Sequence, residues 1–192
     1  MYKLCKTERS AVRQRELELG FLSLLRIRRY EEVNISELCE HLQIPRKAFY
    51  RYFSGKEGIL SALLDHTILE YEQFPGNYRP GEVRTIQKDL ERFFLFWQAQ
   101  TDLLDMLERN GLSALLIQRC LDTSMSGTPI PLRFAKTETG EECRALLMFT
   151  MCGLMSMVLD WHHRGFLSSA GHMGELAARM LNAPLFSAVS PK

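Results

Sequence analysis

Apolar and polar positions alternate with a helical period along most of the chain. Between residues 35 and 42, four apolar residues recur at i, i+3, i+4 and i+7 and predict a short helix with one buried face: Ile35, Leu38, Cys39 and Leu42. Asn34 precedes this stripe as a predicted N-cap, with Glu37 at the reciprocal position of a capping box. The next residues leave room only for a tight turn before Pro45, whose fixed φ suits the start of a second helix.

The second predicted helix has two different faces. Phe49 and Phe53 lie four residues apart and share the inward face. Four cationic or phenolic side chains are then directed away from the core: Arg46, Lys47, Tyr50 and Arg51. A second capping-box pattern, Ser54 to Glu57, predicts the start of a third helix. Two short helices, a tight turn and an outward cationic face are typical of a helix-turn-helix.

The outward residues have the chemistry of a DNA contact surface. A helix fits the major groove, where long cations reach guanine acceptors, so we expect Arg46 and Lys47 to read bases. Phosphate contacts are predicted for three residues: Tyr50, Tyr52 and Lys56. Asn34 and Ser36 are expected to touch the DNA backbone and set the docking angle. Each residue alone could be a solvated surface group, but their joint placement on one face favours DNA binding.

The segment from residue 8 to about 64 resembles the N-terminal domain of the TetR family of bacterial transcriptional regulators. The resemblance rests on the run FYRYFSGKE, residues 49–57, which ends the helix-turn-helix. It implies homodimerisation through the last two long helices and a small effector bound in the C-terminal domain. Three positions differ from the family pattern, in which Gly or a small residue is usual: Arg29, Gln43 and Lys47. A left-handed Gln43 would cost roughly 1 kcal/mol.

The remaining chain is also predicted to be helical. A support helix is expected at residues 10–28, and later helices at about 81–100, 103–107, from 113, 137–164 and 168–183. Pro and Gly punctuate residues 74–81 and the loop at Gly127, Pro129 and Pro131. We therefore predict an all-α fold: a three-helix DNA-binding domain at 1–53, connected through helix 54–71 to a larger helical effector-binding and dimerisation domain at 54–192.

Residues 145–159, ALLMFTMCGLMSMVL, are apolar on nearly every side. At 15 residues they fall short of a membrane span, so burial by protein is expected, with one face toward a pocket and another toward a second subunit. The predicted dimer interface is Met155, Leu159, Trp161, Leu176 and Met180. The predicted pocket for an apolar effector is Phe93, Trp97, Leu116, Cys120, Phe149 and Cys152. Plain core packing is the alternative for each pocket residue.

Charge and cysteine content fit a small intracellular regulator. The net charge is +1, but residues 1–66 carry 12 Lys and Arg against 9 Asp and Glu, which favours a DNA-binding head. Five cysteines without a Cys-x-x-Cys pair predict neither a disulfide framework nor a zinc site. His162 and His163 point about 100° apart on a helix and are poor joint metal ligands. We expect a cytoplasmic protein with no cofactor, no metal, no membrane partner and no secretory signal.

The leading hypothesis from the sequence is a homodimeric repressor, released from a palindromic operator by a small apolar effector. An activator or adaptor of the same fold, which answers to a protein partner or to no ligand, is the alternative. An enzyme is the weakest hypothesis, because the sequence shows no nucleophile–base set, phosphate loop or metal-ligand spacing.

Overall fold

The protein is described by a computed structural model over residues 2–75, 85–125 and 140–182. These ranges contain nine helices: α1 Glu8–Leu25, α2 Ile35–His41, α3 Arg46–Tyr52, α4 Lys56–Gln73, α5 Ile86–Ala99, α6 Thr101–Arg109, α7 Ser113–Met125, α8 Gly140–His163 and α9 Ala170–Asn182. The β structure within them is a single antiparallel bridge between Tyr2 and Phe53. The predicted all-α class is confirmed.

Helix ends follow local signals read from the sequence. Pro45 is the N-cap of α3, and the helix predicted to open at Ser54 begins at Lys56. After α6 and α8 the chain turns at Gly111 and Gly165, whose φ values of 65° and 68° favour glycine. The helix predicted from about residue 81 begins only at Ile86, because Thr85 is extended and caps α5 by accepting from the N–H of Lys88. The predicted helix start near 137, the predicted end near 183, the loop at 127–131 and residues 76–81 lie outside the described residues.

The chain divides into two compact units. Unit 1 comprises residues 1–70 and 102–123, and unit 2 comprises residues 71–101 and 124–192. The helix-turn-helix therefore belongs to the same unit as α6 and most of α7. The boundary between residues 53 and 54 that we predict from the sequence separates the DNA-binding part of the chain from the effector-binding part. It is not a boundary between compact units, and it stays a prediction.

In unit 1, α1 supports the helix-turn-helix with an apolar stripe that includes Phe21 and Leu25, both 0% exposed. Glu18 on the same helix is also fully buried, and its charge is met by Arg15 at 3.1 Å and by the ring of His66 at 2.8 Å. Arg109 from α6 donates to the carbonyl oxygens at the end of α1, which satisfies acceptors that have no partner within the helix.

In unit 2, α5 packs along α9 and also contacts α8. The approach of α5 to α9 is close at Gly174, where an added Cβ would lie 2.7 Å from the backbone nitrogen of Glu91. Trp161 of α8 meets the Phe94 ring edge-on, with centroids 5.7 Å apart. Arg92 of α5 donates to the carbonyl oxygens of Tyr71 and Phe74 at 2.6 and 2.8 Å and so caps the end of α4.

Helix α8 lies within the helix predicted at 137–164 and contains the 15-residue apolar run. It has 24 residues, with a mean hydropathy of 1.5 over its most apolar stretch, and by length and composition alone it could cross a membrane. The core helix of a soluble protein passes the same test, and α8 buries one face in unit 2 through Met151, Met155 and Val158.

Candidate nucleic-acid interface

The helix-turn-helix is fixed by local hydrogen bonds and one strained residue. Asn34 caps α2 by accepting from the backbone N–H groups of Ser36 and Glu37, each at 3.0 Å. The turn contains Gln43 at φ 52°, so the left-handed conformation considered from the sequence is present without a glycine. Ile44 then donates to the carbonyl oxygen of Cys39 at 3.0 Å, which closes the turn before α3.

Helix α3 has the two faces that the sequence predicts. Phe49 and Phe53 are 0% exposed, and their ring centroids lie 5.3 Å apart. On the other side four residues are exposed: Arg46, Lys47, Tyr50 and Arg51. The buried phenylalanines hold the helix in one rotational position, so its cationic side is presented to solvent as a unit.

Two of the predicted contact residues are in direct contact with each other. The guanidinium of Arg46 donates to the hydroxyl of Ser36, which joins the first turn of α3 to the first turn of α2. Both residues are exposed. The hydrogen bond places the proposed base reader and a proposed backbone contact side by side, with Lys47 next to them in sequence.

Tyr52 and Lys56 are less accessible than predicted. Tyr52 is 8% exposed, and the Arg51 guanidinium lies 5.1 Å from its ring centroid. The ammonium group of Lys56 donates to the carbonyl oxygens of Tyr30 and Glu31 at 2.7 and 3.3 Å. Lys56 therefore ties α4 to the loop between α1 and α2, and Tyr52 is largely a core side chain.

Tyr30 anchors this loop. Its backbone N–H donates to Asn110 Oδ1 at 2.7 Å, and Lys56 Nζ lies 4.5 Å from its ring centroid. Burial, followed by the nearby Glu57 carboxylate, raises the pKa of Tyr30 to about 12. The phenol is therefore neutral at physiological pH, and Lys56 faces a ring and carbonyl groups rather than a phenolate.

Sequence reasoning missed the N-terminal arm, residues 2–7. The arm pairs with the end of α3, because Tyr2 bridges to Phe53 and Lys3 N–H donates to the Tyr52 carbonyl oxygen at 2.9 Å. No periodic signal could have found it, because apolar and polar residues do not alternate strictly over Tyr2 to Lys6.

The predicted pocket residues do not share one unit. Leu116 and Cys120 are buried in unit 1, whereas Phe93 and Trp97 are buried in unit 2 and contact each other edge-on at 6.4 Å. Phe149 is 63% exposed, so it cannot line an interior pocket in this conformation; Cys152, one helical turn later, is only half-buried. The reason is that the first half of α8 turns most of its side chains outward.

The predicted interface residues also divide into two groups. Met155 and Trp161 are 0% and 1% exposed within the single chain, because they belong to the core face of α8. They are therefore unavailable to a second subunit. Leu159 and Leu176 are half-buried, and Met180 is 48% exposed.

Comparison with known proteins agrees with this geometry. Residues 23–63 match the sequence profile described as "Bacterial regulatory proteins, tetR family". The matched segment is a TetR-family DNA-binding domain. It contains the helix-turn-helix, and over these residues the chain is similar to TetR-family regulators. No curated protein shows a significant sequence match to the chain.

Solved structures share the fold over most of this chain. The dihydroxyacetone kinase operon activator DhaS is 14% identical, with a TM-score of 0.54, 88% of this chain and 93% of that chain being covered. A tetR-family transcriptional regulator from Streptomyces coelicolor is 20% identical, with a TM-score of 0.52 and coverage of 87% and 78%. The TetR family repressor AlkX from Dietzia sp. strain DQ12-45-1b is 13% identical, with a TM-score of 0.50 and coverage of 86% and 91%.

Proposed function

We propose that this protein is a homodimeric, sequence-specific transcriptional regulator that reads a palindromic operator with two copies of α3. The observation that carries the proposal is the two-sided α3: Phe49 and Phe53 are fully buried, while Arg46, Lys47, Tyr50 and Arg51 are exposed on the other side. A helix held in this way presents long cationic donors to the acceptors of the major groove.

Arg46 and Lys47 are the proposed base readers, and Tyr50 contacts phosphate. Asn34 and Ser36 lie at the start of α2, where a backbone contact sets the docking angle. Lys56 contributes positive charge near the backbone while it fixes the loop before α2 through Tyr30 and Glu31. For Tyr52 the proposal is limited to its hydroxyl edge, since the ring is buried.

The test begins with selection of bound sequences from a random duplex library, followed by affinity measurements on the selected operator and its single-base variants. Arg46→Ala and Lys47→Ala are each expected to relax discrimination at particular positions by about 1–3 kcal/mol. Arg164→Ala is the control, because Arg164 lies in unit 2 and pairs with Asp160 at 2.5 Å. Equal losses on every sequence would contradict the base-reading role, and failure to select any sequence would overturn the proposed function.

The dimer interface is proposed on the outward side of α8 together with α9. Three apolar side chains in the first half of α8 are well exposed: Leu146 at 42%, Met148 at 40% and Phe149 at 63%. Leu159 and Leu176 are half-buried and Met180 is 48% exposed, so both helices carry further apolar side chains that the single chain does not fully bury. Large apolar side chains left exposed on the same helices are typical of a protein interface.

Phe149→Asp is expected to convert the dimer to a monomer with unchanged helix content, because the substitution places a charge in the interface without touching the core. Sedimentation velocity and circular dichroism measure the two properties. Leu19→Asp is the matched control, since Leu19 is 49% exposed on α1. A dimer of unchanged affinity would show that the interface lies elsewhere.

The last part of the proposal is that the protein is a repressor that a small apolar effector releases from the operator. Release by an effector rests on the family resemblance and on the aromatic core of unit 2. The same fold occurs in activators and in repressors of transcription, since DhaS is described as an activator and AlkX as a repressor. Mass spectrometry of molecules that co-purify with the protein tests the effector, and a reporter gene behind the selected operator separates repression from activation. We place the protein in the cytoplasm, where its DNA is.

A further inference from the structure

The N-terminal arm is fixed to the DNA-binding head at both of its ends. Tyr2 Oη donates to Asp65 Oδ2 at 2.9 Å, and Asp65 is itself held by Arg119, whose Nε lies 2.7 Å from Oδ1. Cys5 Sγ donates to Gln14 Oε1 at 2.8 Å. Burial and the Asp65 hydrogen bond raise the pKa of Tyr2, so its phenol stays a donor to the carboxylate. The arm therefore has a defined place beside the end of α3.

A groove with an excess of basic side chains lies between the anchored arm, α1 and the end of α3. The groove has a volume of about 780 Å³ and is lined by five cationic side chains and one carboxylate: Lys3, Lys6, Arg9, Arg13, Arg51 and Glu16. Glu16 pairs with Arg13 at 2.8 Å. Lys3, Lys6 and Arg9 are exposed, and in the described part of the chain they form no ion pair with a carboxylate. The groove is thus left with an excess of positive charge.

The position of the groove relates it to DNA. The arm contacts the C-terminal end of α3, whereas Arg46 lies at the N-terminal end. Six helical rises separate the two ends, which is about 9 Å, or on the order of three base pairs of duplex. In a duplex whose major groove held Arg46, the phosphates about three base pairs away would be within reach of Arg51 and the arm.

We propose that the arm is a second DNA-binding element, in which Lys3, Lys6 and Arg9 bind phosphates flanking the base pairs read by α3. The inference rests on the proposed function, since it requires α3 to enter the major groove. Lysine and arginine on phosphate supply affinity and register without reading sequence. The arm would therefore lengthen the footprint of each head without changing which bases it prefers.

The experiment measures operator affinity between 50 and 200 mM salt for the full-length protein and its arm variants. Each lost phosphate contact removes about 0.9 from the salt slope, and a homodimer on a palindromic operator loses two contacts for each substituted residue. The ratio of affinities at the two salt concentrations should therefore shrink about 12-fold per residue. For the triple variant Lys3→Ala, Lys6→Ala, Arg9→Ala the ratio should shrink on the order of 2,000-fold. The preferred operator sequence should not change.

Two control variants distinguish the loss of positive charge from a change in the structure of the protein. The charge-preserving triple variant Lys3→Arg, Lys6→Arg, Arg9→Lys should keep the wild-type salt slope, and Arg164→Ala should keep it as well. Circular dichroism and thermal unfolding check that the alanine variant is folded; the single variants replace it in the comparison if it is not. A folded alanine variant with the wild-type salt slope would overturn the inference.

Shortening the DNA duplex tests whether the arm binds the phosphates that flank the operator. On an operator trimmed by several base pairs at each flank, the wild-type protein should lose the arm's contribution, and the alanine triple variant should bind with the same affinity as the wild type. If the variant still binds the trimmed duplex more weakly, the arm does not act on the flanks and the inference fails. If the wild-type protein binds no duplex at all, the proposed function itself fails.

Discussion

Gln43, in the turn between α2 and α3, has a backbone conformation that is unfavourable for a residue with a side chain. Its φ of 52° lies in the left-handed region, where a side chain costs roughly 1 kcal/mol relative to glycine. The turn is nevertheless closed by hydrogen bonds on both sides of it, from Gln43 N–H to Glu40 and from Ile44 N–H to Cys39. The sequence identifies the position as unusual, and the structure shows that the chain adopts the strained conformation.

Gln43→Gly is expected to raise the free energy of unfolding by up to about 1 kcal/mol, because glycine removes the strain while it adds some freedom to the unfolded chain. Gln43→Val, a β-branched residue at the same φ, should lower it. Urea unfolding followed by circular dichroism measures both. If glycine destabilised the protein as much as valine, backbone strain at this position would be ruled out.

At the scale of helices, periodicity predicts which elements form but not how closely they approach. The stripe on α2 and the two faces of α3 follow from spacing alone, and all nine described helices overlap helices expected from the sequence. The approach of α5 to α9 at Gly174 could not be predicted, because Gly171 and Gly174 look equivalent in the sequence. Only the packed helices show that Gly174 alone faces the backbone of Glu91.

Gly174→Ala is expected to lower the free energy of unfolding by about 1–3 kcal/mol, because the new Cβ would lie 2.7 Å from Glu91 N and force the helices apart. Gly171→Ala in the same helix is the matched control. Its Cβ would meet the Glu91 carboxylate at 3.4 Å and the Ser169 hydroxyl at 3.9 Å, both ordinary contacts, and alanine should stabilise the helix by up to about 1 kcal/mol. Equal thermal midpoints for the two variants would contradict the close approach.

At the scale of the whole molecule, contacts between residues far apart in sequence determine which segments of the chain form unit 1, which contains the helix-turn-helix. Asn110 holds the backbone of Tyr30, Arg109 caps α1, and Arg119 holds the Asp65 carboxylate that anchors the arm. These three residues lie more than 40 positions after the helix-turn-helix, yet they belong to unit 1. The head is therefore built by two separate stretches of the chain.

The raised pKa of Tyr30 predicts a loss of stability in alkali. A free tyrosine titrates near pH 10, whereas Tyr30 titrates near pH 12, so the folded protein holds the proton more tightly than the unfolded chain. This contribution is complete below about pH 10 and is lost as the pH rises towards 12. Urea unfolding at several pH values should therefore show a flatter decline for Tyr30→Phe than for the wild type. Tyr50→Phe, on an exposed ring, is the control, and identical declines for all three would refute the prediction.

The sequence by itself determined the helices, the all-α class and the cationic face of α3, because periodicity, caps and turn residues act over a few positions. The same reasoning identified Phe49 and Phe53 as core. Only the tertiary structure decided that Lys56 meets backbone carbonyls, that Phe149 is exposed while Met155 is buried, and that the arm lies beside Tyr52. Those outcomes depend on which segments pack together, and residues far apart in the chain leave no local pattern that records their contact.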